Sequence, residues 1–274
     1  MLLGAGVIQW SAAIMIGAFS ALGPGPASAW RFLIGATVLL LLTRPKLGHW
    51  TLRQWRGVLA LGATTAFMNV CFYQAISRIP LGGAVAIEYL GPFCVAAFGR
   101  RSRRHGVFVV LALAGVVALT RPGGDLHVTG ALFAAGSGLG WAGYVFASQR
   151  VGGSTSGFQG LAISMSVAAV ITLPLALESA HHLVADPNLL ARLAIVAVMA
   201  VVFGFGAELQ GLRRLSPSVA GVIMAGDPAV ALLVGWLLLH QGVTAWDLVG
   251  VGAVTVAGAG VTFDTSVGES QLAQ

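Results

Sequence analysis

The chain contains few charged residues. Only 9% of its 274 residues are Asp, Glu, Lys or Arg and 57% are hydrophobic, whereas a soluble globular domain usually carries about 25% charged residues. So few charges could not cover the surface of a water-soluble fold, and we therefore predict an all-α membrane protein. The net charge of +6 does not indicate nucleic-acid binding, because the basic residues fall in short loops between apolar runs, where membrane orientation and anionic lipid account for them.

Cysteine and catalytic motifs are also scarce. The two cysteines, Cys71 and Cys94, lie inside apolar runs, so no disulfide framework is expected. The adjacent histidines His181 and His182 have no acidic or thiol partner at zinc spacing, so we expect no metal site. The sequence has no GxxxxGK[ST], GxSxG or HExxH motif. That excludes an ATP-driven pump within this chain and predicts a protein that is not an enzyme and uses no cofactor.

Long apolar runs dominate what is present. A helix needs roughly 20 apolar residues to cross the hydrocarbon core of a bilayer. The chain offers ten such runs, at approximately 3–21, 27–43, 56–77, 81–99, 105–120, 128–148, 157–176, 192–212, 218–238 and 245–263. We therefore predict ten transmembrane helices joined by short loops.

Basic residues accumulate in every second gap between these runs. If the amino terminus is cytoplasmic, eleven of them are cytoplasmic: Arg44, Lys46, Arg53, Arg56, Arg100, Arg101, Arg103, Arg104, Arg150, Arg213 and Arg214. Only Arg78, Arg121 and Arg192 fall in the other gaps. Because cytoplasmic loops retain basic residues, we predict a multi-pass protein with both termini in the cytoplasm.

The two halves of the chain are similar to each other. A shift of 136 residues places Gln74, Arg78, Ala84, Ile87 and Pro92 on Gln210, Arg214, Ala220, Ile223 and Pro228. With five spans in each half, the second half must enter the membrane from the opposite side, an arrangement typical of secondary transporters. We predict two inverted five-helix repeats at 1–121 and 126–264 and a short tail at 265–274.

Four ionisable residues lie at least four residues from either end of a predicted span: Arg31, Glu88, Glu208 and Asp227. Such groups are costly at membrane depth unless they face a cavity or a partner, so each is a candidate functional residue. Glu88 and Asp227 occupy nearly equivalent places in the two halves, close to the bilayer centre. We expect Glu88 to exchange a proton as a central cavity opens and closes.

Each of these two acids lies near a proline, Pro92 or Pro228. A proline frees the carbonyl four residues earlier from its helical hydrogen bond, which is tolerated where the backbone lines a cavity. Alternatively, Glu88 and Arg31 pair to hold two helices together and the prolines only kink them. Glu208 lies near the inner end of its span, from which it could also reach the interface.

Two polar and aromatic stripes follow helical spacing. Asn69 and Tyr73 lie four residues apart on the third span, and Ser137, Trp141, Tyr144 and Ser148 follow one face of the sixth. Such faces suit a small zwitterionic solute. Packing between helices explains them equally well, because serine and glycine often mark helix contacts in bilayers.

Several strings of residues resemble a known family. The segments 68–73 (MNVCFY) and 80–92 (PLGGAVAIEYLGP) resemble helices three and four of the EamA-domain family of the drug/metabolite transporter superfamily, in the branch that exports threonine and homoserine. The segments 140–150 and 208–228 resemble the second half of that family. The resemblance covers essentially the whole chain. It implies a ten-helix, proton-dependent exporter of small neutral amino acids or related metabolites in the bacterial inner membrane.

The resemblance also implies a binding site. The matching cavity positions are Arg31, Asn69, Tyr73, Glu88, Trp141, Tyr144 and Glu208, with Asp227 where the family has Glu, and helix breaks at Gly91, Pro92 and Pro228. The expected partners are a small-molecule substrate, protons and the lipid bilayer. A homodimer stays open, because small-residue helix faces serve contacts within and between chains alike. The alternative function is a facilitated exchanger, or an exporter of another small solute such as a drug or nucleoside.

Overall fold

The computed structural model of the protein describes residues 2–46, 48, 50–98, 103–119, 127–155, 158–215 and 222–272. All regular structure within these ranges is helical, which confirms the predicted all-α class. Some residues and boundaries of the sequence analysis lie outside the described residues. They are Arg100, Arg101, Arg121 and Ala220, the predicted repeat boundaries at 121 and 126, and the predicted span ends at 99, 120, 157 and 218.

The helices follow one another with short connections. They are α1 Leu2–Ile16, α2 Phe19–Leu22, α3 Pro24–Thr43, α4 Leu52–Ile76, α5 Leu81–Glu88, α6 Leu90–Phe98, α7 Arg103–Leu119, α8 Val128–Ser154, α9 Gln159–Glu178, α10 Ala180–Ala185, α11 Pro187–Ala197, α12 Phe205–Arg214, α13 Asp227–Leu239 and α14 Ala245–Leu272. A π-helical segment, Val198–Gly204, joins α11 to α12.

Several of these helices are suited to a bilayer. Within the described residues, six stretches are long and apolar enough to cross a membrane: Pro24–Thr43, Leu52–Ile76, Gln159–Glu178, Pro187–Gly211, Val222–Leu239 and Ala245–Phe263. Helices α1, α5 with α6, and α7 are apolar but shorter. Helix α8, with 27 residues, spans about 40 Å but is richer in glycine, serine and aromatic residues. The protein is therefore a multi-pass membrane protein, and the count of ten crossings stays a prediction.

Local side-chain chemistry sets where two of the long helices begin. At the start of α4, Gln54 N–H donates to Thr51 Oγ1 over 3.3 Å, and Thr51 N–H donates to Gln54 Oε1 over 2.8 Å. At the start of α11, Asp186 Oδ1 accepts from the backbone N–H groups of Asn188 and Leu189. Both caps satisfy helix N–H groups that have no partner within the helix.

The helices pack across the two halves of the chain. The most extensive pairs are α4 with α8, α3 with α9, and α7 with α14, while α5 packs on α13 and α1 packs on α13 and the π-helical segment. Glycine permits the closest approaches: a Cβ at Gly62 would lie 2.5 Å from Ser164 O, and one at Gly140 would lie 2.8 Å from Met68 Cα. Gln241 Oε1 also accepts the N–H of Leu81 over 3.1 Å, which ties the end of α13 to the start of α5.

Besides the span that contains the π-helical segment, three predicted spans are less regular than the sequence pattern indicated. The predicted fourth span is two helices, α5 and α6, because the chain turns at Tyr89. In an unbroken helix the ring of Pro92 would clash with the carbonyl group four residues earlier. The predicted ninth span turns in the same way at Gly226, directly before Asp227 and Pro228. The predicted first span ends at Ile16 rather than at 21, since the chain turns at Gly17 and then forms the short α2.

Candidate functional site

Carboxyl groups from three helices line one small cavity. The cavity measures about 50 Å³. Its lining residues come from both halves of the chain: Ala5, Ile8, Gln9, Met68, Asn69, Phe72, Glu88, Trp141, Phe205, Glu208 and Asp227. A second cavity of about 20 Å³ shares Glu208 and Asp227 with the first. The site is therefore assembled from sequence segments that are far apart.

Two of the three acids lie directly beside a helix break. Glu88 is the last residue of α5 and Asp227 is the first residue of α13. Both are buried, with 6% and 8% of their surface exposed, whereas Glu208 on α12 is partly buried. Because α5 and α13 also pack on each other, the two breaks bring their acids to the same cavity.

The break that carries Glu88 is pressed against α8. A Cβ on Gly138 would lie 2.7 Å from the Glu88 carbonyl oxygen, and a Cβ on Gly91 would overlap the carbonyl group of Gly138. The Glu88 side chain accepts a hydrogen bond from Ser137. The two glycines thus allow a backbone approach that holds Glu88 against the serine.

Arg31 lies one layer behind the cavity. It is 1% exposed and donates to Asn69 Oδ1, while Asn69 Nδ2 donates to Thr65 O over 3.0 Å. Its guanidinium carbon lies 4.8 Å from the ring centroid of Tyr73. The described hydrogen-bond partners of the two residues differ: Arg31 bonds to Asn69 and Glu88 bonds to Ser137.

Aromatic rings complete the surroundings. Trp141 stands edge-on to Tyr89 with ring centroids 5.9 Å apart. Tyr144 lies behind Phe205, with ring centroids 6.0 Å apart. Of the predicted site residues, Asn69, Glu88, Trp141, Glu208 and Asp227 line the cavity, whereas Arg31, Tyr73 and Tyr144 lie behind these residues.

Several buried polar atoms around the cavity have spare hydrogen-bonding capacity. Among the described residues, these include Gln9 Oε1, Asp227 Oδ1, Arg31 Nε and the hydroxyl groups of Tyr73 and Tyr144, none of which has a hydrogen-bond partner. Buried polar groups are usually paired, so each exception needs an explanation. Gln9 and Asp227 line the cavity, so a polar solute there could donate hydrogen bonds to Gln9 Oε1 and Asp227 Oδ1.

The comparison with protein families identifies this arrangement. The family model described as the EamA-like transporter family matches residues 1–121 and 128–263. The chain belongs to the EamA-like transporter family.

Named relatives of this EamA-like transporter match over nearly the whole chain. The threonine/homoserine exporter RhtA of Escherichia coli (strain K12) is 31% identical over 258 residues, which cover 93% of this chain and 87% of the relative. The protein of the same name from Salmonella typhimurium (strain LT2) is 31% identical over 265 residues, covering 96% and 90% of the two chains. The resemblance found in the sequence is thereby confirmed at the level of the family.

The fold of this EamA-like transporter also matches a solved crystal structure. The TM-score is 0.62 at 18% sequence identity, and the match covers 95% of this chain and 96% of that chain. At this identity the likeness supports the fold alone.

Two features of the site were not predicted from the sequence of this EamA-like transporter. Gln9 lines the cavity from α1, and the signal that could have found it is a single amide in an otherwise apolar run. Ser137 was placed on a polar stripe, but its contact with Glu88 was not predicted. A serine in a membrane helix gives no sequence sign of whether it bonds its own helix or a neighbouring one.

Proposed function

We propose that this protein exports threonine, homoserine or a closely related small amino acid across the bacterial inner membrane in exchange for protons. The observation that carries the proposal is the meeting of Glu88, Glu208 and Asp227 in one buried cavity, in a chain that is similar to threonine/homoserine exporters along nearly its whole length. Carboxylates inside a bilayer often bind protons or cationic groups of a substrate.

The distribution of charge suits a zwitterion. The three acids can accept hydrogen bonds from a substrate ammonium group. On the α4 side, Asn69 lines the cavity and is backed by the guanidinium group of Arg31, which can attract a substrate carboxylate. The Oε1 atom of Gln9, which lines the cavity and has no hydrogen-bond partner, can accept a hydrogen bond from a side-chain hydroxyl. A threonine-like molecule would therefore be bound at both ends.

The volume of the cavity indicates how transport would proceed. About 50 Å³ holds one or two water molecules at roughly 30 Å³ each, whereas ligand sites usually measure about 300 Å³ or more. The described conformation is therefore too closed to admit an amino acid, and binding requires the surrounding helices to separate. Alternating opening toward the two sides of the membrane supplies that separation without an ATP-binding domain.

The pairing of helices supports an inverted-repeat mechanism. In the predicted repeat, α4 corresponds to α11, the π-helical segment and α12 together, and α8 corresponds to α1. The structure pairs α4 with α8, and it pairs α1 with the π-helical segment and α12. Counterparts also pack on each other, as α3 does on α9 and α7 on α14. This pattern is unchanged when the two halves are exchanged, as a pseudo-two-fold axis requires.

Everted membrane vesicles containing the protein test the proposal directly. With an acidic lumen, we expect them to accumulate labelled threonine or homoserine, because protons leaving the lumen drive the substrate inward. Glu88→Gln should abolish the dependence on the gradient, because an amide cannot release a proton.

The matched control is Glu178→Gln. Glu178 is an exposed residue at the end of α9, and this variant should accumulate substrate as the wild type does. Gradient-dependent uptake that survives Glu88→Gln would reject Glu88 as the coupling residue. Equal counterflow with and without a gradient in the wild type would instead favour facilitated exchange.

A further inference from the structure

Ser137 lies where three helices meet. It is fully buried on α8, and its hydroxyl oxygen lies 2.8 Å from the carbonyl oxygen of Met68 on α4. The same hydroxyl also makes a hydrogen bond with Glu88 Oε1 at the end of α5. One oxygen atom thus connects the carboxyl group in the cavity to two neighbouring helices.

A serine hydroxyl carries one proton and can donate to only one acceptor at a time. If Glu88 is ionised, both of its oxygens are acceptors only, and Ser137 must donate to Glu88 to keep their bond. If Glu88 is protonated, its own O–H can donate to Ser137 Oγ, and Ser137 is then free to donate to the carbonyl of Met68. The contact geometry fits both arrangements, and in each the protons and hydrogen bonds balance.

The two arrangements differ in the bond between α8 and α4. Met68 is inside α4, so its carbonyl also has a helical donor and either arrangement is accessible. The backbones are already in close contact there, since a Cβ on Gly140 would lie 2.8 Å from Met68. A hydrogen bond gained or lost at this contact therefore acts on closely packed helices, which respond to small changes.

We propose that Ser137 is a positioning residue that couples the protonation of Glu88 to the α4–α8 interface. Protonation of Glu88 directs the hydroxyl of Ser137 to Met68 and joins the two helices, and deprotonation directs it back to Glu88. Among the described residues, the other titratable or charged groups around Glu88 include Arg31 on α3, Cys71 on α4, Glu208 on α12 and Asp227 on α13. The inference rests on the proposed proton coupling and adds the structural step that follows the proton.

The test compares Ser137→Ala with Ser148→Ala in purified protein reconstituted into liposomes. Ser148 lies on the same helix but is not among the residues that line the cavity. Its hydroxyl donates to the carbonyl of Val145 in that helix over 3.0 Å, so its loss leaves Glu88 untouched. Two transport rates are measured for each variant: threonine uptake driven by a proton gradient, and threonine counterflow without a gradient. For Ser137→Ala we expect the ratio of driven uptake to counterflow to fall about tenfold, the effect of losing one hydrogen bond to a charged group. For Ser148→Ala the ratio should not change.

An infrared measurement on the same samples separates this role from general packing. The carboxyl C=O stretching band of protonated Glu88 is assigned by its disappearance in Glu88→Gln. It should shift in Ser137→Ala and keep its position in Ser148→Ala, because only the first variant removes the partner of that carboxyl group. If Ser137→Ala does not reconstitute, Ser137→Cys, whose thiol is a weaker donor, should give a smaller shift in the same direction.

The outcomes are distinguishable. An unmoved band, or a driven-to-counterflow ratio equal to that of the wild type, overturns the inference. If wild-type uptake responds to the gradient and Glu88→Gln does not, while Ser137→Ala stays fully coupled, the proposed function survives and only the role of Ser137 fails. If wild-type uptake shows no gradient dependence at all, the proposed coupling fails and the inference fails with it.

Discussion

Arg31 is a buried cation without a carboxylate partner. It is 1% exposed and is held by Asn69 and by the face of Tyr73. A buried charge is strongly destabilising unless it is paired or hydrogen-bonded, and this one is stabilised by a neutral amide and an aromatic ring. We therefore expect its positive charge to attract the carboxylate of a substrate through Asn69, which lines the cavity.

This arrangement gives a prediction about recognition. Arg31→Gln should raise the KM for threonine about 10-fold to 100-fold, since interactions with a charged group contribute about 1.5–3 kcal/mol. Threoninamide lacks the carboxylate, so its inhibition constant against threonine uptake should change little. Inhibition constants for both compounds in reconstituted vesicles provide the measurement. Arg53→Gln, at an exposed position, is the control, and an equal loss of affinity for both compounds would argue against carboxylate binding at Arg31.

At the residue scale, the sequence predicted the carboxyl groups of the site, because burying any carboxyl group in a bilayer costs free energy. Glu88, Glu208 and Asp227 were found because a carboxyl group inside a bilayer requires a cavity or a partner. Ser137 was not recognised as a partner of Glu88, because a serine in a membrane helix commonly bonds its own backbone, as Ser164 does with Gly160 O over 2.8 Å. Whether a serine bonds its own backbone or a residue on another helix depends on the neighbouring helix. That neighbour is fixed only by the tertiary fold.

At the element scale, the break between α5 and α6 depends on a glycine in close contact. A Cβ on Gly91 would overlap the carbonyl group of Gly138 on α8, whereas a Cβ on Gly83 in α5 would meet nothing within 4 Å. Gly91→Ala should therefore force α6 away from α8 and lower the apparent melting temperature in detergent by about 5–10 °C, as overpacking of a core does. Gly83→Ala should leave it unchanged. Equal melting temperatures for the two variants would show that this contact is not rigid.

The helix breaks show what a pattern of residue types can and cannot fix. Pro92 and Pro228 predicted interruptions, and the chain is interrupted near both. The turns lie earlier than the prolines, at Tyr89 and Gly226, because the steric conflict of a proline falls on the preceding turn of the helix. The π-helical segment Val198–Gly204 had no counterpart in the prediction, since an apolar run has the same composition whichever helical hydrogen bond it makes.

At the scale of the whole molecule, hydropathy and short strings of residues predicted the class and the family. They could not give the pairing of helices, because α4 with α8 and α1 with the π-helical segment are contacts between parts of the chain more than 50 residues apart. Apolar faces carry little information about which partner they pack on, since in a bilayer lipid tails are as apolar as leucine. The shape of the cavity follows from those pairings and was for that reason not accessible from the sequence.

The predicted inversion of the two halves can be tested by labelling. Arg78 and Arg214 occupy equivalent places in the repeat, so an odd number of spans between them puts them on opposite sides of the membrane. Ser77 and Arg214 are both exposed and can be replaced by cysteine one at a time after Cys71 and Cys94 are changed to alanine. In intact cells, a membrane-impermeant maleimide should label Ser77→Cys and leave Arg214→Cys unlabelled until the membrane is permeabilised.

The distribution of basic residues predicts which of the two positions is labelled from outside the cell. Cytoplasmic loops retain arginine and lysine, and residue 214 adjoins Arg213 in one of the basic gaps, whereas the gap at residue 77 contains Arg78 alone. Labelling of both positions from the same side would require the halves to be parallel. Parallel halves could not be related by an axis in the membrane plane, and alternation around the shared carboxylates would then need a different symmetry.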